Sequence, residues 1–249
     1  MLGITSVTFR RKSAAEILEL TCLCGLDGIE WGGDIHVPPQ RGNAEAVGAA
    51  TRAAGLEVLS YGSYYRLLEQ ENPQETFFPV LQTAAQLGAP HIRIWAGEKI
   101  KPAAATDEDY TRAAQELREI CAAAGEKGIS IGLEYHRDTL TETAQSALRL
   151  LQEADCENLR SYWQPNPEIS CAENCAALRT VLPYLSNLHV FHWLQNGARR
   201  PLAEGEMEWR EYFAVAGGQG NAILEFVRDE SAEQFREDAE TLKKLCGEI

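Results

Sequence analysis

A short apolar, strand-like run followed by an amphipathic segment rich in Ala, Leu and Glu recurs eight times along this chain of 249 residues. The spacing is about 30 residues, the length that one strand, one helix and their turns require. The strand-like runs begin near Gly3, Gly28, Leu56, His91, Ile129, Leu159, Leu188 and Ala222. Helical patterns follow them over Ala14 to Cys24, Ala44 to Ala54, Pro73 to Leu87, Asp107 to Lys127, Thr141 to Ala154, Cys171 to Tyr184, Glu208 to Ala216 and Ala232 to Cys246. Ser13, Asn43, Thr106 and Ser231 stand where N-caps belong, and Gly25, Gly55, Gly88 and Gly128 lie just past the last periodic residues. Eight such units suit a closed (β/α)8 barrel better than an open doubly wound sheet. The open sheet also lacks its fingerprint, because no G-x-G-x-x-G follows the first strand and Gly217-Gly-Gln-Gly220 reads as a turn before the last one. Nothing resembles a linker, so one α/β domain over residues 1–249 is expected.

Composition narrows the partners. A formal net charge of −14 disfavours nucleic acid and anionic membrane surfaces, which are bound by clustered Lys and Arg, and leaves a small neutral or sugar-like ligand. The apolar runs stop well short of the ~20 residues of a membrane span, and the first residues enter a strand with no signal-peptide pattern. Seven cysteines without a CxxC pair read as reduced, packed thiols. A cytoplasmic protein is the expectation, with the subunit number left open and a homo-oligomer allowed.

Two glutamates carry the chemistry. Glu134 is the lone charge in Ile129-Ser-Ile-Gly-Leu-Glu-Tyr-His136, and Glu225 in Asn221-Ala-Ile-Leu-Glu-Phe-Val227. Both come late in strand-like runs, where a parallel barrel keeps its active face. An unpartnered charge in such a place costs several kcal/mol, at least roughly, so each acid calls for a cation, a metal or a strong donor. Strand alternation puts Glu134 and His136 on one face, Arg93 with Trp95 on one face of the fourth strand, and His189 with Phe191 opposite His192 in the seventh. A plain internal salt bridge from Arg93 to one acid is the simpler alternative. Glu30, late in the second strand, reads as support for a ligand or as the partner of a nearby base. The longest connections, Trp31 to Asn43, Tyr61 to Asn72, Ala96 to Thr106 and Trp193 to Glu206, all follow strands. Asp34, His36, Arg199 and Arg200 in them read first as solvated loop residues.

The order of these elements resembles the xylose isomerase-like TIM-barrel superfamily of sugar isomerases and epimerases, which includes the endonuclease IV type. Gly25-Leu-Asp-Gly-Ile-Glu30 looks like that family's second strand, Leu133-Glu134 its fifth, Leu188-His189-Val190 its seventh and Leu224-Glu225 its eighth. The resemblance covers nearly the whole chain. It implies one divalent metal, held by a Glu, an Asp, a His and a Glu ending strands five to eight, which fall here on Glu134, Gln164, His189 and Glu225. Gln164, in Leu159-Arg-Ser-Tyr-Trp-Gln-Pro-Asn-Pro167, departs from the pattern, as does Pro167, where a His commonly follows. A glutamine oxygen still ligates a hard cation, but one negative charge is gone, so binding weakens or is lost. The set suits Mn²⁺, Mg²⁺ or Co²⁺ and admits Zn²⁺.

The implied activity is metal-dependent isomerisation or epimerisation of a sugar or sugar derivative. One glutamate takes a proton beside a carbonyl, the other supplies one to the opposite face, and an enediolate lies between. Glu134 and Glu225 take the catalytic roles, and His136, Arg93, His192, Trp31, Trp95 and Trp163 are the candidates for the carbohydrate pocket. A lyase on a sugar derivative shares the first step. Gln164 keeps alive a non-catalytic barrel that binds a sugar or a partner, whereas endonuclease chemistry fits poorly with five histidines and an acidic chain.

Overall fold

Eight parallel strands close into a barrel: β1 (Leu2–Thr5), β2 (Gly28–Gly32), β3 (Glu57–Arg66), β4 (His91–Trp95), β5 (Ser130–Leu133), β6 (Leu159–Trp163), β7 (Leu185–Val190) and β8 (Asn221–Leu224). Each pairs with its neighbours in sequence, and β8 closes on β1 through Leu2 opposite Ala222 and Ile4 opposite Leu224. The computed structural model describes residues 1–69, 71–98 and 100–247; Gln70 and Lys99, in two of the long connections, and Glu248 and Ile249 lie outside the described residues. Helices α1 (Ala14–Leu23), α2 (Ala44–Ala53), α3 (Pro73–Leu87), α4 (Asp107–Gly125), α5 (Ala144–Ala154), α6 (Cys171–Val181), α7 (Glu206–Ala216) and α8 (Ala232–Gly247) follow the eight strands in turn. The expected (β/α)8 architecture is the one found.

The helices form where apolar spacing and caps agree. In α3, Phe77, Val80, Leu81, Ala84 and Leu87 fall at helical intervals and are buried against the barrel. Burying each of the large ones contributes about 1.5–3 kcal/mol. Ser13 and Thr106 close capping boxes with Glu16 and Asp109, and Ser231 accepts from the Gln234 N–H. Asn43 does not cap; its amide instead donates to the His36 carbonyl at 2.8 Å and ties down the loop after β2. No helix among the described residues is long and apolar enough to cross a membrane.

Several boundaries differ from the sequence expectation, each for a local reason. β3 continues to Arg66, because Gly62 pairs with Arg93 and Arg66 with Trp95. α5 starts at Ala144 rather than Thr141, since Thr143 caps it and the Thr141 hydroxyl donates to the Glu134 carbonyl. β7 begins at Leu185, and the connection after it contains a small antiparallel hairpin that pairs His192 with Arg200 and Trp193 with Arg199. All seven cysteines are free.

Candidate active site at the C-terminal end of the barrel

The parallel barrel brings the late residues of its strands to one end, and there the ionisable side chains meet. Glu134 and Glu225 stand one position past β5 and β8. Their N–H groups still donate to the Ile94 and Val190 carbonyls at 3.0 Å, so neighbouring strands fix where each acid leaves the barrel. His189 in β7, Glu30 in β2 and Arg93 in β4 point inward below them, all buried. Gly62 in β3 leaves the space this needs: a Cβ there would lie 2.8 Å from Arg93 Nη2 and 3.2 Å from Glu30 Oε1.

These groups form one network. Arg93 Nη1 and Trp95 Nε1 both donate to Glu134 Oε2. The second face of the guanidinium meets Glu30, with Nε 3.5 Å from Oε1, while the Ser60 hydroxyl donates to Glu30 Oε2 at 2.8 Å. His189 Nε2 contacts Glu30 Oε1 at 3.3 Å. Its Nδ1 points toward the ends of β5, β6 and β8, 3.2 Å from Gln164 Oε1, 3.6 Å from Glu225 Oε1 and 3.8 Å from Glu134 Oε1. Both ring nitrogens thus face oxygen acceptors, the arrangement of a doubly protonated imidazole.

The electrostatics split the three acids. Burial alone would raise Glu30, but Arg93 and then His189 outweigh it and hold Glu30 well below the usual carboxylate range. Burial also opposes ionisation of Glu134, and again Arg93 first and His189 next prevail and keep its pKa low. Glu225 goes the other way: burial raises it and the Glu134 charge adds to that, with His189 compensating only in part. For His189, burial works against the charged form, yet Glu225, Glu30 and Glu134 together push its pKa up to about 9.

The raised His189 pKa makes the metal-free protein less stable at alkaline pH. The His189 pKa lies above its unfolded value of ~6.5, so its contribution is fully present below that pH and is lost as pH rises through about 9. In chelator, the thermal midpoint should fall between pH 6.5 and 9.5, as followed by circular dichroism, and His189→Gln should flatten the dependence in that window.

The donor set fits a divalent cation. Glu134, His189 and Glu225 each offer an atom within 4.8 Å of the others, all buried. Gln164 turns its oxygen toward the same point, beside His189 Nδ1. Glu30 on the far nitrogen is the carboxylate that metal-bound histidines commonly require to fix their orientation.

The remaining candidates divide. Arg93, Trp95, His136 and Gln164 line a cavity of about 300 Å³ together with Glu134 and Glu225, and His136 stacks on Trp95 with ring centres 4.6 Å apart. Trp31 and Trp163 do not line it. Trp31 is buried on the outer side of the barrel, donating to Thr51 on α2, and Trp163 packs against Trp209 and Tyr212 of α7. Both follow β-strand alternation, which turns alternate residues outward toward the helices. His192 lines an adjoining hollow instead. His36 is not a solvated loop residue: it is buried, with Nδ1 at 2.9 Å from the Ser6 hydroxyl and Nε2 at 3.1 Å from the Lys12 carbonyl. Asp34 pairs with Arg10.

Sequence reasoning missed Tyr64, Trp193 and Phe226, which line the same cavity. Phe226 also has a left-handed backbone (φ 50°), a conformation that costs a non-glycine residue of order 1–3 kcal/mol. Its N–H is held by the Thr8 hydroxyl at 3.0 Å, which fixes the turn immediately after Glu225.

Comparison with known proteins identifies the family of the fold. The family model for the xylose isomerase-like TIM barrel matches residues 19–245. The chain belongs to this family. Among solved structures, the barrel is similar to the probable 3-DHS dehydratase AsbF of Bacillus anthracis, at 20% identity and a TM-score of 0.82 over 97% of this chain and 98% of that one. It is also similar to a D-psicose 3-epimerase in the presence of D-fructose (19% identity, TM-score 0.78, 98% and 99% covered). A third is a xylose isomerase-like TIM-barrel protein from Mycobacterium smegmatis in complex with magnesium (16%, 0.71, 98% and 95%). No curated protein matches the chain. Within this xylose isomerase-like barrel, Glu134, Gln164, His189 and Glu225 lie at or just past the ends of β5 to β8.

Proposed function

We propose that the chain is a metal-dependent, sugar-modifying enzyme of the xylose isomerase-like family, an isomerase or epimerase that moves a proton beside a carbonyl through an enediolate. The observation that carries this reading is the convergence of Glu134 Oε1, Gln164 Oε1, His189 Nδ1 and Glu225 Oε1 at the floor of one aromatic-walled cavity. Relatives of the same fold include an epimerase and a dehydratase, and one holds magnesium. The residues would hold Mn²⁺, Mg²⁺ or Co²⁺, or Zn²⁺, and such an ion supplies electrophilic stabilisation of negative charge developing on the substrate oxygen.

Charge balance favours retained metal binding despite Gln164. Three buried carboxylates face Arg93, which carries one positive charge, and a divalent ion would bring the set to neutrality once His189 gives up its second proton. A further carboxylate at position 164 would leave one negative charge over. Glutamine there is thus matched to the arginine on β4, rather than a sign of a decayed site. Binding displaces the proton on His189 Nδ1, so metal affinity should rise with pH up to about 9.

The protein's own groups then divide the work. Arg93 and Trp95 hold one oxygen of Glu134, which keeps that carboxylate ionised and oriented. Among the described residues no donor clamps Glu225 as Arg93 and Trp95 clamp Glu134, which leaves it the freer of the two to take up the substrate proton. Trp95, His136 and Phe226 give the cavity aromatic walls against which a sugar ring can pack. Glu134 would be the second acid–base group of an epimerase; held ionised, it must take up a proton before it supplies one to the opposite face.

The clearest test is isotope exchange. Chelated protein restored with Mn²⁺ or Co²⁺ should move solvent deuterium into the position beside the carbonyl of a ketose, as followed by NMR across a sugar panel. No exchange with any sugar or metal would sink the proposal. The clamp on Glu134 also favours a second reading, a lyase on a sugar derivative, since elimination needs one mobile base; it would show as an ultraviolet-absorbing enone rather than an epimer.

The seven free thiols suit a reducing, cytoplasmic setting.

A further inference from the structure

Beside the reacting cavity lies a second hollow of about 320 Å³ that none of the chemistry above uses. Pro165, Asn166, Pro167, Phe191 and Trp193 line both spaces, so the two share one wall. That wall is held in place. Asn174, buried in α6, accepts from the Asn166 N–H at 2.9 Å and donates to the Asn166 carbonyl at 2.9 Å, between the two prolines. Trp193 packs against Phe191 and Phe226, with ring centres 4.5 and 5.9 Å away. A proline-bounded loop and a three-ring stack resist collapse into the hollow.

The lining has a definite chemistry. Asn166, His192, Gln195 and Glu208 present polar groups, and Trp193 and Tyr212 present rings. Among the described residues that line it there is no Lys or Arg, so a phosphate or carboxylate would meet no counter-charge. A purely apolar group would make no use of the His192, Gln195 and Glu208 side chains around it. A sugar ring satisfies both kinds of surface, with hydroxyls for the amides and a C–H face for an aromatic ring. Ligand cavities run from about 300 to 1,000 Å³, so each space alone is small and the pair suits a two-ring molecule.

We propose that this hollow is a subsite for a second, neutral sugar ring. The substrate is then a disaccharide or glycoside whose keto-bearing unit sits at Glu134 and Glu225 while its other ring reaches over the rim of the shared wall into the hollow beyond Trp193. This rests on the proton-transfer reading of the main cavity, and the experiment separates the two by measuring binding and turnover independently. Tryptophan fluorescence of the metal-loaded protein is titrated with D-fructose and D-psicose and with the two-ring ketoses lactulose, turanose and isomaltulose, and deuterium exchange is followed on the same sugars.

At least one two-ring ketose should bind about tenfold or more tightly than either single ring. Leu194→Trp and Gln195→Trp, at exposed positions on the rim of the hollow, should each cut that preference to about threefold or less. Equal binding of one- and two-ring ketoses, no binding of any, or a preference kept in both variants overturns the subsite. Absence of exchange with every sugar, beside a preference that the variants abolish, overturns the proton-transfer reading and leaves the subsite standing.

Discussion

Glu225→Gln should lower the rate of solvent-proton exchange about 10²–10⁴-fold at saturating metal, the usual effect of removing a positioned acid–base group, while leaving the protein folded. The reason is the asymmetry of the two acids. Burial disfavours the charged form of Glu225 and His189 compensates only in part, so a neutral amide there removes a desolvation cost and the repulsion from Glu134. Its thermal midpoint in chelator should therefore match or exceed that of the parent. Glu134→Gln should behave differently, because it takes from Arg93 the charge that balances it. That variant should lose activity and stability together. Melting curves and exchange rates for the pair check the split; undiminished exchange in Glu225→Gln would remove it from the base role.

The largest effect on stability is expected from Arg93→Leu. The guanidinium is buried between Glu30 and Glu134, and its loss leaves two buried carboxylates without their main counter-charge. Removing one partner of a buried ion pair costs about 3–5 kcal/mol. In a domain of this size, that corresponds to a fall of roughly 10 °C in Tm. A divalent ion would offset part of the deficit, so the thermal shift on adding Mn²⁺ should be larger in the variant than in the parent. A variant that melts within a degree or two of the parent in chelator would mean that Arg93 does not balance the acids.

Much of this was legible in the sequence because it depends on short-range pattern. The eight strand and helix units follow from periodicity and caps, and the two glutamates from their isolation in apolar runs. Arg93 was legible as the simpler partner for one acid, and it does pair with Glu134 without excluding a metal site. What could not be read was depth and hand. Trp31 and Trp163 sit on strands that supply site residues, but one position of alternation turns them outward. Glu30 was legible only as a supporting residue; that it takes the far nitrogen of His189, 159 positions along the chain, depends on barrel closure. Tyr64, Trp193 and Phe226 reach the cavity from an extended strand end, a small hairpin and a left-handed turn, none of which has a periodic signature. His36 looked like loop charge because its two partners, Ser6 and Lys12, lie in another connection.

The proposed chemistry depends on one coordination point, and a crystal soaked with Mn²⁺ tests it. Anomalous difference density should show a single ion about 2.1 Å from oxygens of Glu134, Gln164 and Glu225 and from His189 Nδ1, with Glu30 still on Nε2. Clear density for these side chains with no ion among them, or Gln164 turned away from the site, would contradict it.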